Sequence, residues 1–341
     1  MSPRSRRVLL GSRRLSTPTS PASSTGASPS QACSSWTCGE PVTTGVTEPR
    51  RCSRSLPRSP AHRCDGVPSV DEMEDEKAVV GHYESIREED RIATGFGQLE
   101  LVRTREILHR YLPDPPARIL DIGGGTGVHA SWLAEEGHSV HVVDVTPRHV
   151  ENVRVELGPQ GVTAELGDAR ELSLPDDSFD VALVFGPLYH LTDRSDRIDA
   201  LREARRVVRS GGIVACAGIS SFASLFDGLA RRFLFDRDFR QIVERDLRDG
   251  QHRNPENRSH WFTTAFFHHP AELRAEAEEA GLTVRELLGV EGLAGWLPDL
   301  APHWSTEEGR AVILFAAEAV EAEPSLLGLS AHLLIVTSVP Q

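Results

Sequence analysis

Apolar positions along this chain fall into two alternating rhythms from residue 118 onward. Short unbroken apolar runs (Arg118 to Ile122, Ser139 to Val143, "VTAEL", "FDVALVF" and "IVACAGI") read as strands buried on both faces. Between them, Gly127 to Glu136, Pro147 to Leu157 and "RIDALREARRVVR" read as helices closed by Gly137, by Gly158 and by the Gly211-Gly212 pair. Strands alternating with helices of this length predict a parallel sheet covered on both faces. The rhythm breaks over residues 221–269, rich in Phe, Arg and His, which reads as an insertion. It resumes with a helix in "PAELRAEAEEAG", a strand in "LTVRELLGV", a helix in "TEEGRAVILFAAEAVEA" and a last strand in "SAHLLIVTSV". Upstream, "DEMEDEKAVVGHYESIREEDR" and "GQLELVRTREILHRYL" read as two helices, the second stopped by "PDPP". Because they precede every strand, residues 71–117 are expected to form a helical cap.

Composition changes this picture at one end only. Residues 1–70 hold ten Arg and no Lys against Glu40, Glu48 and Asp65, with dense Ser, Pro, Thr and Gly. Such a segment buries too little apolar surface to offset the entropy of ordering it, so disorder is expected. The simplest reading makes it a dispensable extension ahead of a start near Met73, its apolar stretch being too short for a secretory signal. Four of the five cysteines lie there at spacings that match no zinc template; only Cys216 lies beyond it. The whole chain carries a net charge of −13, and nearly all its acids follow residue 70. That balance argues against a nucleic-acid backbone or an anionic membrane as partner, and no apolar run reaches membrane-spanning length. A cytoplasmic protein, monomer or homodimer, is expected.

Candidate chemistry concentrates in "DIGGGTG", Asp121 to Gly127, at the end of the first strand. A dinucleotide fingerprint needs a third glycine where Val128 stands, and a phosphate-binding Walker loop needs a Lys-Ser/Thr that is missing. What remains is an acid in the strand end followed by Gly123, Gly125 and Gly127, with Gly124 between. Asp144 closes the second strand, 21 residues after Gly123. Taken singly, a glycine loop can be only a tight turn, Asp144 only a helix cap and Asp168 only a loop acid.

In order and at these spacings the residues resemble motif I and the following motifs of the class I S-adenosylmethionine-dependent methyltransferases, in the subgroup acting on small molecules. "GDARELSLPDDSFDVALVFGPLYHL" and "RRVVRSGGIVACAG" are similar to the downstream motifs, and the resemblance is good over residues 95–220. It implies a Rossmann-like doubly wound α/β fold, a seven-stranded mostly parallel sheet with an antiparallel last strand. It implies S-adenosyl-L-methionine as cofactor, with Asp144 on the ribose diol, Asp168 at the adenine amino group, Ala169 at the ring, and Phe185 and Gly124 beside them. A sulfonium with an amino-acid tail and no phosphate also suits the residues themselves. Asp121 can orient its positive end, while Gly123 and Gly125 let it lie against the backbone.

The acceptor is expected to be a small molecule. "FGPLYHL" ends the fourth strand at the carboxyl edge, where α/β folds bind ligands. Tyr189 and His190 are therefore candidate acceptor contacts, with His190 able to take a proton; the alternative is that both pack under the cofactor. Phe222, Phe226, Trp261, Phe262, Phe266 and Phe267 are candidates to close an apolar chamber, core filling being the alternative for most. Adjacent His268 and His269 do not make a metal site, and none is expected. The domain therefore reads as cap 71–117, cofactor core 118–220, acceptor insertion 221–269 and sheet completion 270–341. Two other readings stay open: an NAD-dependent oxidoreductase, and a non-catalytic module binding S-adenosylmethionine or S-adenosylhomocysteine.

Overall fold

A computed structural model describes residues 95–256, 258 and 261–341. The expectations for residues 1–70, and for the helix over 71–91, lie outside the described residues.

Helix α1 (Phe96–His109) leads to β1 (Arg118–Ile122), α2 (Val128–Glu135), β2 (Ser139–Asp144), α3 (Pro147–Glu156), β3 (Thr163–Leu166) and β4 (Phe179–Val184). A one-turn helix α4 (Pro187–His190) and the long α5 (Arg194–Val207) follow, then β5 (Val208–Ser220). The insertion folds as α6 (Ala223–Ala230), α7 (Arg237–Asp249), β6 (Gln251–His252) and β7 (Ala265–His268). The chain closes with α8 (Pro270–Glu279), β8 (Thr283–Gly289), the short α9 (Ala301–Trp304), α10 (Glu307–Glu318) and β9 (His332–Ser338).

The expected doubly wound α/β sheet is present. Strands run β3-β2-β1-β4-β5 in parallel, with the order reversing between β1 and β4. β9 then joins β5 antiparallel and pairs with β8 on its other side. These are the seven expected strands, and the last one is antiparallel as expected. The sheet nevertheless has nine, because β6 and β7 form a hairpin inside the insertion. The reason is the length of β5. It outruns β4, whose pairing ends at Cys216, and β7 runs parallel to the overhang at Ile219 and Ser220. An overhanging strand needs partners for its backbone, and the insertion supplies them.

The junction before β5 also differs from expectation. The helix ends at Val207 rather than at the glycine pair, and the strand begins at once, with Val208 beside Phe179. Gly212 instead serves close strand approach: a Cβ there would stand 2.7 Å from the Asp180 carbonyl oxygen.

Strand alternation divides the core into two layers. Ile119, Val181, Leu183, Ala215 and Val336 face Ile107 of α1, Leu133 of α2 and Val153 of α3. Leu120, Ala182, Val184, Cys216 and Ile335 face Leu201 of α5 and Leu273 of α8.

One polar pair crosses the second layer. Arg197 on α5 donates from Nη2 to Glu276 Oε1 at 2.7 Å and from Nε to Oε2 at 3.0 Å, with both side chains buried. Its Nη1 donates to the carbonyls of Leu191 and Thr192, and its guanidinium lies 3.4 Å from the centre of the Phe266 ring. His268 Nε2 reaches Glu276 Oε2 at 3.3 Å, so the network ties β7 and α8 to α5. Burial opposes the charge on Glu276, but His268 and Arg197 outweigh it and hold the carboxyl down at about 2. A depressed carboxyl contributes stability above its unfolded value, and that contribution is lost as pH falls toward 2. Arg197→Leu should therefore cost about 3–5 kcal/mol in urea unfolding at pH 7, because it strands a buried charge. The penalty should shrink as Glu276 protonates in acid; an equal cost at pH 7 and pH 4 would show that no stranded charge is involved.

Candidate active site

The loop between β1 and α2 is shaped by what surrounds it. Gly123 has φ of +68°, and a Cβ there would meet the Pro187 ring at 2.6 Å. A Cβ at Gly124 would meet the Asp121 carboxyl at 2.7 Å, and one at Gly127 would meet Leu157 at 2.6 Å. Gly125 differs: its φ is +56°, yet a Cβ there would have no neighbour within 4 Å among the protein's atoms. Three glycines are thus explained by packing, and the fourth borders open space. Glycine facing space is what close approach of a ligand to backbone requires.

Two carboxylates flank this loop. Asp144 is buried at the end of β2, and its Oδ2 accepts from the Gly125 N–H at 2.9 Å. Its Oδ1 accepts from the Thr146 N–H at 2.8 Å and meets His149 Nδ1 at 3.2 Å. Burial opposes its charge, but His149 and the two backbone donors win and hold it below the usual carboxylate range. With Oδ1 taking two partners and Oδ2 one, the acceptor capacity left for a ligand is on Oδ2. Asp121 is the opposite case. It is 1% exposed, and neither carboxylate oxygen has a hydrogen-bond partner. Burial, with the charge of Asp144 nearby, pushes it up to about 7. The Thr126 hydroxyl in the same loop is likewise buried without a partner. Orphaned groups of this kind call for a bound donor or cation. An ammonium or sulfonium beside Asp121 fits; a phosphate does not.

The other sequence-derived candidates spread along the same edge. Asp168 is engaged by Arg170, whose Nη2 donates at 2.6 Å and whose backbone N–H donates at 2.8 Å; Arg170 Nη1 continues to Asp196 at 2.8 Å. Ala169 is buried in the core layer with Leu172 and Leu188. Phe185 follows β4 and meets the His129 ring edge-on at 5.0 Å. Tyr189 and His190 lie on α4 with ring centres 4.6 Å apart, and His190 stacks on Phe262 at 6.4 Å. Tyr189 and Phe262 pack with Ile219, Ala223, Phe267 and Trp296. His268 and His269 diverge: His268 joins the Glu276 network, while His269 Nδ1 accepts from the Ala271 N–H.

Sequence reasoning missed His129. It sits in the first turn of α2, accepts from Trp132 Nε1 at 3.4 Å, and is pushed down to about 4 by burial, with Glu100 opposing. Its signal was its place two residues after the last loop glycine. It missed Trp296 too, which follows β8 and carries no motif at all.

A family model described as a methyltransferase domain matches residues 120–216, the stretch holding the loop, both carboxylates and β1 through β5 as far as Cys216. Over those residues the chain is similar to the methyltransferase-domain family. Methyltransferase GfsG of Streptomyces halstedii is 33% identical over 129 residues, covering 36% of this chain and 45% of that protein. O-methyltransferase rstn1 of Aspergillus nomiae is 32% identical over 149 residues, covering 41% of this chain and 61% of that one. The chain thus spans under two thirds of the length of these curated relatives. The crystal structure of an S-adenosylmethionine-dependent methyltransferase from Mesorhizobium loti aligns with a TM-score of 0.49 at 18% identity, over 70% of this chain and 99% of that one.

The loop geometry separates stability from ligand binding. Gly123→Ala should destabilise the protein, because backbone strain and the Pro187 clash act together. Gly125→Ala should cost only the roughly 1–2 kcal/mol of left-handed backbone strain in thermal unfolding, yet abolish measurable binding of S-adenosylhomocysteine. Equal binding by Gly125→Ala and wild type would remove that loop position from the site. A second expectation follows from Asp121. A cation bound beside it favours its ionised form, so binding of S-adenosylmethionine should release a proton and tighten as pH rises through about 7. Calorimetry in buffers of different ionisation enthalpy reads this directly, and Asp121→Asn should flatten it.

Proposed function

We propose that the protein transfers a methyl group from S-adenosyl-L-methionine to a small apolar, hydroxyl-bearing acceptor. The observation that carries this reading is the buried, unpartnered carboxylate of Asp121 beside the open face of Gly125. When bound, the cofactor supplies an electrophilic methyl group on a sulfonium. Asp121 would hold its positive end, and Gly125 would let it lie against the backbone. Asp144, with acceptor capacity left on Oδ2, would hold the ribose diol, and Asp168, Ala169 and Phe185 would border the adenosine. Methyl transfer needs alignment in a dry cavity more than it needs acid-base help. Tyr189, His190, Phe262 and Trp296 form the apolar wall against which an acceptor is aligned. The O-methyltransferase activity in the name of the Aspergillus relative supports a hydroxyl acceptor.

A nicotinamide dinucleotide suits the site poorly, because its pyrophosphate at the loop would face the buried, unpartnered Asp121 carboxylate. The net charge of −13 disfavours a nucleic-acid acceptor. No helix among the described residues is long and apolar enough to cross a membrane. We place the protein in the cytoplasm as a monomer or homodimer.

Calorimetric titration of the full chain with S-adenosylhomocysteine and with NADH tests the cofactor. Micromolar binding of the former alone is expected, followed by label transfer from S-adenosylmethionine to hydroxylated aromatic acceptors. NADH binding alone would overturn the reading; cofactor binding with no transfer to any acceptor would leave a non-catalytic module. Asp144→Ala should weaken S-adenosylhomocysteine binding by about 1.5–3 kcal/mol, the range for hydrogen bonds to a charged group.

A further inference from the structure

The aromatic wall has one member that regular structure does not hold. Tyr189 stands on α4, Ile219 on β5, Ala223 on α6, Ala265 and Phe267 on β7, and Trp296 ends a short 3₁₀ helix (Gly292–Trp296). Phe262 lies outside every helix and strand. Its ring nevertheless meets four others, with centres 6.4 Å from those of His190 and Tyr189, 6.2 Å from His252 and 6.0 Å from Phe267. Its backbone carbonyl is taken by side chains where a strand would offer a ladder. Asn254 Nδ2 donates to it at 3.2 Å, and His252 Nε2 lies 3.3 Å from it.

The other end of His252 is anchored inside the insertion. Its Nδ1 meets Asp246 Oδ2 of α7 at 2.8 Å, with both side chains buried. The same oxygen accepts from the Ser224 hydroxyl of α6 at 2.5 Å, while Asp246 Oδ1 has no partner. Ser, Asp and His thus meet, but not as a nucleophilic triad, because the hydroxyl faces the carboxylate and Nε2 faces a carbonyl. An ionised carboxylate and a carbonyl both only accept, so a ring that meets the two carries a proton on each nitrogen. Among the described residues no other cation pairs with Asp246, and a buried carboxylate needs one. The ring also lies nearly flat on Phe267, with centres 4.5 Å and planes 16° apart, where an aromatic face attracts a cation. Asn254 is fixed in turn: its Oδ1 accepts from the Arg258 N–H at 3.1 Å, and its Nδ2 donates to the Arg258 carbonyl at 3.0 Å.

We propose that His252, charged against Asp246, and Asn254 are positioning residues that clamp the Phe262 ring against His190 and Tyr189 and so set the affinity for a planar acceptor. The inference rests on the methyltransferase reading and adds to it where acceptor affinity is kept. The clamp makes and breaks no covalent bond. Its effect is on order: a ring on a loop, free to turn away, has to be immobilised when an acceptor binds, whereas a ring already held does not. A wall fixed in advance suits a rigid, planar molecule, which meets it without rearrangement. Because β6 pairs with β7 and β7 runs along the overhang of β5, His252 holds Phe262 relative to the strand that carries Ile219.

The test uses the full chain and begins with a spectrum. Imidazole nitrogen NMR at the assay pH should show both ring nitrogens of His252 protonated; a bare Nε2 overturns the proposal without reference to turnover. 1-Naphthol then serves as binding probe on the S-adenosylhomocysteine complex, and the hydroxylated aromatic acceptor that takes label fastest serves for turnover. His252→Gln and Asn254→Ala should each weaken naphthol binding and raise the acceptor KM by about three- to tenfold, the loss of one hydrogen bond. Their kcat and S-adenosylhomocysteine affinity should stay within about twofold of wild type, a split that a general folding defect would not give. Asn254→Asp keeps the acceptor for Arg258 but loses the donor to Phe262, so it should match Asn254→Ala; a wild-type KM from it overturns the carbonyl bond as the cause. In a Phe262→Ala background, His252→Gln should add nothing, because the ring it holds is gone. Full additivity there, or a wild-type KM from both single variants, overturns the clamp while leaving methyl transfer intact. If His252→Gln does not fold, the wild-type spectrum and the two Asn254 variants decide. Failure of wild type to bind S-adenosylhomocysteine or to methylate any acceptor sinks both readings.

Discussion

Two buried carboxylates on adjacent parallel strands set the terms for the whole carboxyl edge of this sheet. Asp144 is tied down by the Gly125 and Thr146 backbones and by His149, and so fixes both the loop and the start of α3. Asp121 is left with no partner, in the field of its neighbour. The loop wraps so tightly around it that any side chain at Gly124 would strike its carboxyl. An uncompensated acid at such a depth costs folding free energy unless it is protonated or paired. The loop is therefore prepared for a cation before any ligand arrives, and the cofactor proposed above would offset a cost already present in the fold.

The aromatic cluster proposed to meet the acceptor depends on a different constraint, the length of β5. Had it stopped with β4, there would be no overhang for β7 and nothing to anchor the insertion over the site. Because it continues to Ser220, the same strand carries β7 on one side and β9 on the other. Tyr189, Phe262 and Trp296, which come from three separate segments, gather around Ile219 on that overhang. The Arg197, Glu276 and His268 network then holds the hairpin's end against α5 and α8 from beneath.

The halves of the site were unequally legible. Strand and helix alternation, the glycine loop and Asp144 are local signals, because a parallel sheet with short crossovers writes its periodicity into contiguous sequence. The sequence also pointed to Asp121, but not to its isolation, which arises from the absence of donors around it. By resemblance Asp168 read as the residue at the adenine amino group, whereas Arg170, two residues on, occupies it; nothing in the spacing forces that arginine to fold back. The β6–β7 hairpin was hidden because its strands are too short to show a period, and it forms only against the overhang of β5.

The docking of the insertion has an evolutionary corollary. β7 meets β5 at two register positions, Ile219 with Phe267 and Ser220 with His268, at the tip of a strand whose remaining length belongs to the cofactor core. A segment joined at a tip can lengthen, shorten or change its aromatic residues while the glycine loop and its two acids stay as they are. Descendants of one such ancestor could diverge in what they modify without renegotiating how they carry the methyl group, and the short seam along β5 is where their structures should begin to part.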